Sequence, residues 1–103
     1  MKSENTELEN FVQLTGFRDI DEPEMMAVKK VISSHVHRIH ELVKKIDNLH
    51  ITLKSVHQRE KSEKYEIHAK LLHNGKVNLA TITDRNLPAT MDAVLDKLVN
   101  ELD

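Results

Sequence analysis

Histidine is the residue type in this sequence with the most obvious capacity for chemistry. Seven are present, three of them close together in His35-Val36-His37-Arg38-Ile39-His40. On a helix, His37 and His40 are i, i+3 neighbours that could share a metal ion. His35 points elsewhere on such a helix, and no carboxylate stands at a convincing ligand spacing along the chain. The zinc-protease pattern His-Glu-x-x-His fails, because His40-Glu41 is followed by Leu42, Val43 and Lys44. Asp92 and Asp96, four residues apart, have the spacing of a carboxylate dyad. Solvated side chains flanking an apolar stripe, with Lys97 beside them, are the expectation for that pair. Cysteine is absent, which removes thiolate nucleophiles, disulfides and cysteine-ligated metals together. Gly16 and Gly75 are the only glycines, so no phosphate-cradling loop exists. No catalytic residue, metal, cofactor or small-molecule substrate is expected.

Basic residues offer a second kind of chemistry. The net charge is −2, but it is unevenly spread. Residues 1–24 carry two basic and seven acidic groups, residues 25–85 twelve basic and six acidic, and residues 86–103 one basic and four acidic. A basic middle between acidic ends can present a local positive field. Lys29, Lys30, Arg38, Lys44 and Lys45 lie on or at the end of one helical segment, while Lys54, Lys70 and Lys76 belong to strand segments. Arg59, Lys61 and Lys64 fall in the polar run between two strands, and Arg85 in a turn. Point charges spread over several elements suit phosphate contacts, which need reach and charge rather than base-edge geometry. Tyr65 is expected to face the core, leaving no aromatic platform for single-stranded bases. Nucleic acid, if bound, is then structured RNA read by shape and backbone.

The elements that must carry these residues follow from periodicity. Residues 1–10 are polar and acidic and are expected to form a flexible end, with a single domain over 11–103. Phe11 to Thr15 reads as a strand broken by Gly16. Pro23, flanked by Asp21, Glu22 and Glu24, opens a helix. Val28, Val31, Ile32, Val36, Ile39, Val43 and Ile46 keep helical spacing, which predicts six turns with Lys44 and Lys45 in the last. Leu49 to Val56 and Tyr65 to Leu72 alternate as half-buried strands, separated by a turn or loop over His57 to Lys64. Asn74-Gly75 predicts a type I′ hairpin turn. In the returning strand, Val77 to Thr83, Val77 and Leu79 compete with Ala80 and Ile82 for the inward face, so a bulge or a two-sided environment is open. Asp84-Arg85-Asn86 and Pro88 then start a helix whose stripe is Met91, Val94, Leu95, Leu98 and Leu102. The fold class is α+β, ordered β-α-β-β-β-α, with a four-stranded sheet and two helices on one face. No apolar run spans a bilayer and no secretory signal is visible, so a cytoplasmic protein without a membrane partner is expected.

One segment carries a recognisable pattern. In residues 65–102 a strand, an Asn-Gly turn and a second strand lead into a helix reading Ala-Thr-Met-Asp-Ala-Val-Leu-Asp-Lys-Leu. This resembles the ribosome hibernation-promoting factor and ribosome-associated inhibitor A family, in its short form. Ala89, Met91, Asp92, Asp96, Lys97, Leu98 and Leu102 match the family's closing helix in register, with Pro88 standing where an aromatic is usual. Leu49-His50-Ile51-Thr52-Leu53-Lys54 and Leu14-Thr15-Gly16 fit further upstream, so the resemblance covers about residues 11–102.

The resemblance implies a fold related to double-stranded-RNA-binding domains. It also implies docking on small-subunit rRNA, in the channel where mRNA and tRNA pass, so that translation is inhibited or idle ribosomes are preserved. The expected RNA contacts are first Arg38, Lys54 and Lys97, then Lys30, Lys44, Lys45, Lys76 and Arg85. The sequence stops after the closing helix, so the dimerisation domain of long-form members is not expected. A monomer bound to the small ribosomal subunit is the leading expectation. The alternative is a non-enzymatic protein-interaction module of the same fold, diverged from rRNA and homodimeric through an exposed sheet face.

Overall fold

Four segments alternate apolar and polar residues, and their pairing lets the apolar faces share one side of a sheet. The computed structural model describes residues 8–57 and 63–102. Strand β1 (Val12–Thr15) lies parallel to β2 (Asn48–His57), with Val12 opposite Leu49 and Leu14 opposite Ile51. Parallel neighbours need a crossover, and helix α1 (Glu22–Leu42) supplies it. Strands β3 (Glu63–His73) and β4 (Lys76–Asp84) continue antiparallel, in the order β1-β2-β3-β4. Helix α2 (Leu87–Glu101) closes the chain. The element order is the one the periodicity implies, although β2 runs on to His57 and β3 already begins at Glu63. Arg59 and Lys61, and residues 1–7 of the expected flexible end, lie outside the described residues.

Local chemistry sets most boundaries. The Asp21 carboxylate accepts the Glu24 N–H at 3.1 Å and caps α1, with Pro23 in the first turn. Asn86 does the same for α2, accepting the Ala89 N–H at 2.8 Å. Asn74 and Gly75 both have positive φ, 51° and 74°, as a type I′ turn requires.

One boundary differs from its expectation. Helix α1 ends at Leu42, and Val43 is already extended at φ −127°, ψ 149°. Lys44 and Lys45 therefore stand in the connector rather than in a last helical turn, and Ile46 is buried from there. The sheet imposes this. The Asp47 N–H donates to the Leu72 carbonyl at 2.8 Å and the Leu49 N–H to that of Phe11 at 2.9 Å. The chain must lie alongside the strands by residue 47, so it has to leave the helix several residues earlier.

Val28, Ile32, Val36 and Ile39 of α1 and Met91, Val94, Leu95 and Leu98 of α2 pack on Leu49, Ile51, Leu53, Ile67 and Leu71. Burying each such side chain contributes about 1.5–3 kcal/mol. Phe17, Leu87 and Val99 join this core from positions that periodicity did not single out, and Tyr65 packs half-buried against it. The register resolves β4: Ala80 lies opposite Ala69 and Ile82 opposite Ile67, on the helix side. Val77 and Leu79 point outward, 51% and 62% exposed, and the register runs without a bulge. Among the described residues no helix is long and apolar enough to cross a membrane.

Candidate nucleic-acid interface

The expected phosphate contacts are all exposed, but they do not share one surface. Lys54 projects from β2 on the open face of the sheet, opposite Glu66 of β3 and away from both helices. Lys97 and Glu101 are i, i+4 neighbours on α2, and Glu101 accepts the Asn78 side-chain N–H of β4 at 3.3 Å. Lys97 thus stands on the β4 flank of α2. Arg38 is on the opposite flank, in the seam between the helices. There it lines a cavity of about 310 Å³ with Ser34, Asp92, Asp96 and Asn100. Lys30 lies on the solvent side of α1, as its distance from the buried stripe requires. Arg85 follows the far end of β4 from Lys76, about 30 Å away at strand rise.

One end of the molecule does gather cations. The extended exit from α1, the β3–β4 hairpin and the end of α2 enclose a cavity of about 470 Å³, lined by Lys44, Lys76, His73, Asn78 and Glu101. His73 is buried by this arrangement, with Nε2 2.9 Å from the Asn78 side-chain oxygen. Lys45 is beside it but is 3.5 Å from the Asp47 carboxylate. Val99 and Asn100 at the Arg38 cavity are followed directly by Glu101 and Leu102 at this one. Arg38 in the helix seam and the pair Lys44 and Lys76 at the hairpin end therefore line two separate cavities towards the same end of α2. Acidic groups line both, so any positive field there is local.

The histidines divide as the helical spacing requires, with His35 turned away from His37 and His40. The carboxylates are a correction. Asp92 and Asp96, more than half exposed, reach across the seam to His35, with oxygens 3.5 and 2.9 Å from its Nε2. The open sheet face carries a further polar cluster. The Thr15 hydroxyl and His50 Nε2 share a hydrogen bond of 2.8 Å, and His68 contacts both Glu66 and the Thr81 hydroxyl.

No family model and no curated protein matches the sequence. Among solved structures, a ribosomal subunit interface protein from Coxiella burnetii matches with a TM-score of 0.62 and 22% identity, over 88% of this chain and 91% of that one. The N-terminal domain of Protein Y from Thermus thermophilus matches with a TM-score of 0.58 and 13% identity, over 92% of this chain and 96% of that domain. The chain has their fold. Both are hibernation-promoting-factor family proteins, the family that the closing helix resembles. At these identities the likeness is one of fold, and it extends over nearly the whole length.

Proposed function

We propose that the chain is a non-enzymatic, ribosome-associated factor of the cytoplasm that docks on small-subunit rRNA. The observation that carries this reading is the near full-length fold shared with a ribosomal subunit interface protein, on a chain whose closing helix matches the same family's pattern. Docking takes place in the mRNA and tRNA channel and excludes both by volume, so translation stops or the idle particle is kept intact. No bond is made or broken. The protein supplies shape and a few cations, and rRNA phosphates supply the complementary charge. Lys44 and Lys76 are the phosphate contacts best placed to act together, because they line one cavity at the hairpin end, and Arg38 in the neighbouring seam cavity is the third candidate.

Pelleting of small subunits with the protein across a salt series tests the proposal. Co-sedimentation is expected at low salt and falls by about 0.7–0.9 log unit per log unit of salt for each phosphate contact. Absence of pelleting at low salt, or pelleting indifferent to salt, overturns it.

A second reading rests on Val77 and Leu79, exposed on the open sheet face with Leu72 opposite Val77. Adjacent outward apolar side chains on an edge strand suit a protein contact, here a second copy of the chain. Sedimentation equilibrium then shows a concentration-dependent dimer that Val77→Ser with Leu79→Ser abolishes. A strict monomer at all concentrations removes this reading.

A further inference from the structure

The seam between α1 and α2 holds three potential ligand atoms that neither the fold nor the proposed docking requires. His35 is nearly buried, its side chain 10% exposed. Its Nδ1–H donates to the Val31 carbonyl, one turn earlier in α1, at 2.8 Å. Since a carbonyl oxygen only accepts, Nδ1 holds a proton, and Nε2 is the atom presented to the seam. Nε2 meets two acceptors there, Asp96 Oδ1 at 2.9 Å and Asp92 Oδ1 at 3.5 Å. With its proton on Nδ1 the ring turns the Nε2 lone pair to the seam, where it converges with the negative charges of both carboxylates. A divalent cation cancels both.

We infer that His35, Asp92 and Asp96 form a site for a divalent transition-metal ion of the zinc type, which clamps α1 to α2. The distances fit such an ion. Zinc lies about 2.0–2.2 Å from imidazole nitrogen and carboxylate oxygen, which puts neighbouring ligand atoms about 3.0–3.5 Å apart in octahedral or tetrahedral geometry. Two of the three separations are 2.9 and 3.5 Å, and all three ligand atoms lie within 4.8 Å of one another. The remaining adjustment falls on aspartates that are 56% and 61% exposed. The Nδ1–H bond to a backbone carbonyl is the outer contact that metal-bound histidines use to fix tautomer and ring plane. Asp92 and Asp96, being i, i+4, project from one face of α2, so all three ligands stand on rigid helices. One nitrogen with two carboxylates favours zinc and its first-row neighbours over calcium or magnesium, which take oxygen alone. Water completes the coordination from the open side. The bound ion also cancels the double negative charge lining the Arg38 cavity.

Isothermal titration of the chelator-treated, untagged full chain with zinc chloride tests this, with magnesium chloride as the comparison. One saturable equivalent of zinc, a raised melting temperature and no response to magnesium are expected. The imidazole ¹⁵N signals of His35 shift with that equivalent. Asp92→Asn with Asp96→Asn, both at exposed positions, weakens zinc binding by about tenfold or more. His37→Asn with His40→Asn, on the outer surface of α1, leaves it unchanged. If the double aspartate variant fails to fold, each single variant is titrated, and each must show the loss. No saturable binding, binding that survives loss of the aspartates, or binding that disappears with His37 and His40 overturns the inference.

Discussion

Replacing Arg38, Lys44 and Lys76 together with glutamate is expected to abolish the proposed salt-sensitive co-sedimentation with small ribosomal subunits. Two of the side chains line the cavity at the hairpin end and the third lines the cavity in the helix seam. A charge-assisted contact to phosphate contributes about 1.5–3 kcal/mol, so losing three lowers affinity by at least about three orders of magnitude. The slope of log affinity against log salt falls by about one unit per contact removed. Lys54→Glu is the informative comparison, because Lys54 projects from the opposite face of the molecule. Its replacement leaves most of the binding intact if these two cavities form the contact surface. Pelleting of the triple variant at wild-type levels, or an equal loss from Lys54→Glu alone, rules out this contact surface. All of these side chains are exposed, so the fold is expected to survive, and circular dichroism checks that it does.

The largest stability effect is expected from Gly16→Ala. Gly16 sits directly after β1 with φ at +91°, where an added side chain is already strained. A Cβ there would stand 2.2 Å from the Leu53 carbonyl oxygen. That oxygen belongs to the backbone of β2, which is held in register against β3 with Leu53 opposite Ile67. The obstacle cannot swing aside as the end of a side chain could. Relief requires β1 to move away from β2, losing a four-residue parallel pairing and the packing of Val12 and Leu14. The cost is about 3–5 kcal/mol, a large share of the 5–15 kcal/mol that stabilises an ordinary domain. Thermal denaturation should show a midpoint lower by roughly 12–30 °C. Gly75→Ala provides the control, since φ is +74° there but nothing lies within 4 Å of the added carbon. That change costs only the backbone strain, about 1 kcal/mol. Equal effects from the two substitutions would contradict the close approach of Gly16 to β2.

The order of elements was legible in the sequence because each rests on local spacing. Four apolar positions of α1 at helical intervals, Asn-Gly at the hairpin and a capping Asn86 ahead of Pro88 need no knowledge of the rest of the chain. The inward faces of β2 and β3 were legible for the same reason, since Leu49, Ile51 and Leu53 alternate cleanly with His50, Thr52 and Lys54. The resemblance of the closing helix to a known family added an expected fold and docking surface. It could not say which cations share a surface, because that depends on how far each helix is rotated against its neighbours.

Three matters were decided by tertiary structure alone. In β4 both parities are apolar, so only pairing with β3, Ile82 against Ile67, chooses which pair is buried. The end of α1 depends on where β2 must join the sheet, which overrides helical spacing that continues to Ile46. His35 meets Asp96 across 61 residues of sequence, and the crossing of two helices brings them together. Local periodicity states which face of an element is apolar, and that was enough to derive the β-α-β-β-β-α layers. Contacts between polar residues on different elements depend on register and helix rotation, which the core packing sets. The histidine–aspartate cluster and the cavity lined by Lys44 and Lys76 therefore emerge only with the folded chain.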